Sequence, residues 1–136
     1  AAIGRACGLP VTADARLREV DVGSWAGLSI AQMLRDDPAA AAADGCGDDY
    51  RRSPTGETAS ESGARAAVAL KAYAEAFDDD LIAVVGHGQS LKLAAFFLMG
   101  LDYAASRCFH VQSNCGWMAV APGRPHWRML AYNRVA

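Results

Sequence analysis

One stretch constrains the fold more than any other: DDDLIAVVGHGQSLKLAAFFLMG, residues 78–100. Leu81 to Val85 is an apolar run rich in β-branched residues, set between three aspartates and Gly86. Such a run reads as a strand buried on both faces. From Gln89 to Met99 only Gln89, Ser90 and Lys92 are polar. That suits a buried helix and is far shorter than the roughly 20 residues of a membrane span. His87 therefore stands where a central strand hands over to a helix N-terminus, whose free N–H groups and dipole attract anions. Gly86 and Gly88 allow a sharp bend and a close approach to a ligand. These residues alone leave His87 evenly balanced between a packing role and a functional one.

The 136 residues fit a single domain, 1–136, with a real hydrophobic core. Thirteen basic residues against fifteen acidic ones leave a net charge of −2, which argues against a nucleic-acid-binding face. No stretch reads as a signal peptide or a membrane span. Cys7, Cys46, Cys108 and Cys115 show no C-x-x-C spacing, so buried, reduced thiols in a cytoplasmic protein are expected and a metal site is not. The opening AAIGRACGLP reads as the last turns of a helix closed by Gly8, with Pro10 beyond. A helix that starts in mid-turn predicts a chain that continues upstream.

Further along, Val11 to Ala13 reads as a short strand and LREVDVGSWAGLS as a loop. Ser29 and Gln32 form a capping box for a short helix that Pro38 ends or interrupts. Residues 39–57 are rich in Ala, Asp and Gly and predict a mobile excursion with one helical turn. A second capping box, Thr58 with Glu61, starts a helix running to about Phe77, with Leu70, Tyr73, Ala74 and Phe77 as its buried stripe against a sheet. The tail alternates in short apolar runs around Pro122-Gly123, the pattern of a hairpin. This order predicts an α/β three-layer sandwich, a mostly parallel sheet flanked by helices, with His87 at the carboxyl end of a strand.

Four motifs then line up. They are Leu17-x-Glu19-x-x-x-Gly23-x-Trp25-x-Gly27, Pro54-Thr55-Gly56-Glu57-Thr58 with Arg65 seven residues on, GHGQSLK, and Trp127 through Tyr132-Asn133. Together they resemble the histidine phosphatase superfamily, the phosphoglycerate mutase-like family, over nearly the whole chain. The resemblance departs in two places. Ala26 stands where the family has the glutamate of W-E-G, and no R-H-G occurs in the sequence. The chain thus resembles the C-terminal two-thirds of such a protein, truncated at its N-terminus and lacking the first strand and the nucleophile motif.

The resemblance implies a phosphomonoester hydrolase that needs no metal or other cofactor and works through a phosphohistidine. His87 would be the second pocket histidine, donating to the phosphoryl oxygens. Gly88 and Gln89 would lie against the phosphate, Glu19 would protonate the leaving alcohol, and Trp25 would wall the substrate pocket. Small phosphorylated compounds would be substrates, with no nucleic acid or membrane partner and a homodimer as an option. Only 26 residues separate Gly27 from Pro54, too short for the mutases' insertion, which favours a phosphatase. Glu57 and Arg65 read as structural, and Arg51 and Arg52 as a solvated loop pair. Two alternatives remain: a phosphate-binding or regulatory module that has lost the nucleophile, and a serine hydrolase with Ser90 on a strand-to-helix turn. The spacing speaks against the hydrolase, because Lys92 stands where its elbow needs glycine. A chain lacking a central strand is further expected to fold poorly alone.

Overall fold

The computed structural model describes residues 2–77 and 80–135. Its order is α1 (Ala2–Cys7), α2 (Ile30–Asp36), α3 (Pro38–Cys46), α4 (Ala59–Ala76), α5 (Gly88–Leu98), α6 (Tyr103–Ser106), β1 (Trp117–Ala121) and β2 (Arg128–Arg134). Short 3₁₀ turns lie at Ala15–Leu17 and Gly23–Trp25.

Local chemistry sets most helix ends. Gly8 closes α1 with φ +65, and the Gly8 and Leu9 N–H groups donate back to the carbonyls of Arg5 and Gly4. That is a Schellman closure. Both capping boxes form: Ser29 with Gln32 on α2, and Thr58 with Glu61 on α4. Pro38 both stops one helix and starts the next. It cannot donate to α2, yet it occupies the first turn of α3, where Asp37 accepts from the Ala40 N–H at 2.9 Å. The expected mobile excursion therefore contains a nine-residue helix closed by Gly47 in the left-handed region. Its alanines have high intrinsic helix propensity, and a proline start with a glycine stop suffices where an amphipathic pattern is missing.

The core is the packing of α4 on α5. Ala59, Ser62, Gly63, Ala66 and Ala69 form the buried stripe of α4, facing Leu93, Ala94, Ala95 and Phe96 of α5. The expected stripe of Leu70, Tyr73, Ala74 and Phe77 is displaced: Phe77 is 55% exposed and the others are half-buried. The four cysteines, expected to be buried, are all exposed, because none lies on the packed faces of α4 and α5. Small residues win the interface because they let the two backbones approach. A Cβ on Gly63 would lie 2.5 Å from the Leu93 Cβ.

The sheet differs most from expectation. Among the described residues it consists of the antiparallel hairpin β1–β2. Leu81–Val85 and Val11–Ala13 lack regular strand structure, so the expected parallel sheet is not seen. Asp78 and Asp79, two of the three aspartates expected to precede the strand, lie outside the described residues. A strand exists through its ladder, and among the described residues neither segment takes part in one. The two segments instead border an apolar groove of about 680 Å³.

Candidate active site

His87 is the N-cap residue of α5, extended at φ −108 and ψ 151, and its side chain makes no capping hydrogen bond. The cap comes from 71 residues away. Glu19 Oε1 accepts from the Ser90 N–H at 3.1 Å and from the Val20 N–H at 2.9 Å. A carboxylate on the third N–H of a helix satisfies one orphan donor and complements the dipole. The fold thus brings Glu19, His87, Gly88 and Gln89 to one helix N-terminus and leaves the imidazole exposed. Among the described residues, the Gly88 and Gln89 N–H groups have no protein acceptor.

The two glycines beside His87 differ. Neither has a positive φ. A Cβ on Gly86 would lie 3.0 Å from Leu91 Cδ1 and 3.3 Å from the Leu17 carbonyl, a tight fit that the leucine side chain would have to yield to by a few tenths of an ångström. At Gly88 the nearest atom is the Gln112 carbonyl at 3.6 Å, an ordinary contact.

Arg65 holds Glu19 in place. Its guanidinium donates to the carbonyls of Arg16 at 2.7 Å, Arg18 at 3.2 Å and Glu19 at 3.4 Å. It also grips Glu57 with two bonds, at 3.1 and 2.8 Å. Glu57 accepts from the Asp21 N–H and the Arg18 side chain as well. The Arg65 hydrogen bond is the largest cause holding the Glu57 carboxyl below the usual carboxylate range, partly opposed by burial. Both residues are structural, as expected. Arg51 and Arg52 are not the free solvated pair expected. Arg51 bonds the Gly56 carbonyl and Glu61, and Arg52 lies over the Tyr50 ring at 3.9 Å.

The two loops that carry the motifs interlock through glycines. Gly23 sits at φ +54, and a Cβ there would come within 2.6 Å of Gly56 and Thr55 atoms. A Cβ on Gly56 would lie 1.7 Å from the Arg52 carbonyl oxygen. Ser53, itself at φ 71, donates to the Val22 carbonyl at 2.9 Å and accepts from the Ser24 N–H at 3.1 Å. Trp25 lies in this joint, 7% exposed, with Tyr50 at 6.5 Å between ring centroids. Buried there, it offers little surface among the described residues.

Ser90 is fully buried, and its hydroxyl turns back toward the His87 carbonyl at 3.4 Å. That geometry does not present an accessible serine nucleophile. The closing motif has a role the sequence did not disclose. The Tyr132 hydroxyl donates to the His110 carbonyl, and Asn133 Oδ1 accepts from the Ser113 N–H at 2.7 Å. These bonds fasten the loop whose Gln112 faces Gly88. Phe96, Phe109 and Tyr132 support it with edge-on contacts at 4.8–6.2 Å. Position-specific bonds of this kind leave no periodic pattern; the closing Tyr132-Asn133 motif marks the residues but not what they bond.

No curated protein matches the chain closely. Solved structures do. A structure described as mycobacterial hydrolase 1 matches with a TM-score of 0.82 at 28% identity, covering 98% of this chain and 68% of that one. Mycobacterial glucosyl-3-phosphoglycerate phosphatase in complex with inorganic phosphate matches at 0.81 and 27% identity, covering 97% and 69%. Bacillus stearothermophilus YhfR, at 17% identity, shares the fold at 0.82 over 98% of this chain and 66% of its own. The profile of the histidine phosphatase superfamily, branch 1, matches residues 1–135, and the chain belongs to that family.

Proposed function

We propose that this chain forms, as a single domain, part of a metal-independent phosphomonoester hydrolase acting through a phosphohistidine, with the attacking histidine supplied by sequence outside these 136 residues. The observation that carries the reading is the meeting of Glu19 with the His87 end of α5. One exposed imidazole, two unengaged N–H groups and one carboxyl share a helix N-terminus, and that set suits an oxyanion. In the first step the attacking nitrogen bonds phosphorus as the ester P–O bond breaks, and Glu19 gives its proton to the departing alkoxide. His87 and the Gly88 and Gln89 N–H groups take the charge on the phosphoryl oxygens. Water then attacks the phosphohistidine, releasing phosphate and the free histidine. Structural neighbours described as phosphatases, at 25–27% identity, support the reading, and small phosphorylated compounds are the substrate class it implies.

One observation favours a second reading. The chain's three histidines are His87, His110 and His126, and none stands in an R-H-G. If no such motif completes the protein, the same site binds phosphate without turnover. The test is phosphate release from an aryl phosphate in EDTA, using the native-length polypeptide. His87→Ala should lose about 10²–10³-fold in kcat, the usual loss for one oxyanion donor. Glu19→Gln should lose about 10²-fold or more on alkyl phosphates and far less on aryl esters, whose leaving groups need no acid. An inactive parent that still binds phosphate would establish the second reading.

A further inference from the structure

A cavity of about 370 Å³ lies between α5, α6 and the loop that follows α6. Gln89, Lys92, Tyr103, Arg107, Phe109 and His110 are among its lining residues, and among the described residues no aspartate or glutamate lines it. Lys92 is only 8% exposed, and among the described residues its ammonium makes one hydrogen bond, to the Phe109 carbonyl at 2.7 Å. Arg107 makes no ion pair among the described residues and packs beside Gly47. The contrast with the rest of the chain is sharp. Among the described residues, seven of the thirteen basic side chains pair with a carboxylate, namely Arg16, Arg18, Arg35, Arg51, Arg52, Arg65 and Lys71. Lys92 is the buried exception, and it shares its cavity with a second cation.

Burying an ammonium without a counter-charge is unfavourable, because the charge gives up its hydration and gains no partner in return. Burial, with Arg107 adding repulsion, holds the Lys92 amine below its usual range. A hydrogen bond to one carbonyl leaves two ammonium N–H donors for something else. Gln89 links this cavity to the site already described, since it lines the cavity and stands two residues from His87 on the first turn of α5.

We propose that this cavity is an anion subsite, with Lys92 and Arg107 as its charged ligands, which takes a carboxylate or second phosphate carried by the substrate away from the reacting phosphoryl group. The substrate assignment rests on the phosphatase reading above; the anion site itself does not. A substrate with two anionic groups would span from the His87 end of α5, past Gln89, to Lys92.

The native-length protein, titrated with malonate and followed by amide NMR, should show saturable shifts at Lys92, Arg107 and His110. Those shifts should persist in His87→Ala and vanish in Arg107→Gln, a change at an exposed side chain that leaves the Lys92–Phe109 bond intact. No saturable shift, or shifts that vanish with His87 instead, would overturn the subsite whether or not the protein is a phosphatase. Kinetics then test the substrate assignment. Arg107→Gln should raise KM for 3-phosphoglycerate about tenfold or more, the scale of a lost charge-assisted bond, and leave glycerol 3-phosphate unchanged. Equal effects on both esters would overturn that assignment. Malonate binding without phosphatase activity would overturn the substrate assignment and leave the anion site standing.

Discussion

Two apolar segments of nearly equal strength meet opposite fates. Leu91–Leu98 of α5 is packed against α4, with Leu93, Ala94, Ala95 and Phe96 at 0–1% exposure. Leu81–Val85, only six residues upstream, leaves Leu81 fully exposed and Val85 67% exposed. Hydrophobicity does not explain the difference, since both runs would gain from leaving water. Backbone hydrogen bonding does. A helix satisfies its own N–H and C=O groups and needs only a surface to lie on, and Gly63 and Ala66 supply one. An extended segment must borrow its partners from a neighbour.

The comparison breaks first at Phe96. Phe96→Ala should remove about 3–5 kcal/mol from unfolding in urea, because it empties the centre of the packed half. Arg65→Met should follow at about 2 kcal/mol, less than a fully buried pair because both partners of the Glu57 ion pair retain some solvent contact. Gly63→Ala should cost about 1–3 kcal/mol by forcing α4 away from Leu93. Leu81→Ser should change stability by no more than about 0.5 kcal/mol, since its side chain contacts little. A loss at Leu81 comparable to that at Phe96 would show that the exposed segment is paired in solution. Acid titration sharpens the same contrast. The folded pKa of Glu57 is depressed, so its stabilisation is complete above the unfolded value of about 4.3 and is lost as pH falls through the folded value. Glu57→Gln should therefore flatten the acid limb of stability against pH, measured by urea midpoints.

Punctuation carried the legible part of the fold. Ser29, Thr58, Gly8 and Pro122-Gly123 mark boundaries through bonds within a few residues, and the structure places them as the sequence implies. Helix α5 and the position of His87 at its start were equally readable. What failed was whatever depends on a distant partner. The run 81–85 has strand composition without a ladder, and the buried face of α4 was assigned to large residues when small ones face α5. At the site, motif spacing singled out Glu19 and His87 but could not show that Glu19 caps α5. Trp25 is ambiguous in sequence because a tryptophan between glycines serves a wall or a plug equally well, and its burial beside Tyr50 depends on a loop 25 residues away. Nothing flagged Lys92, whose neighbours in sequence look like any helix interior.

The joint between Gly23 and Gly56 carries a further consequence. Most tight contacts in a protein involve a side chain, so a damaging substitution can be rescued by trimming its neighbour. Here the obstructing atoms include the Gly56 amide and the Arg52 carbonyl, which every amino acid carries. No second-site suppressor can shorten a backbone. A genetic screen for revertants of a Gly56 substitution should return glycine itself and little else, so the two loops that aim Glu19 at α5 form a locked pair of positions, insulated from the sequence drift around them.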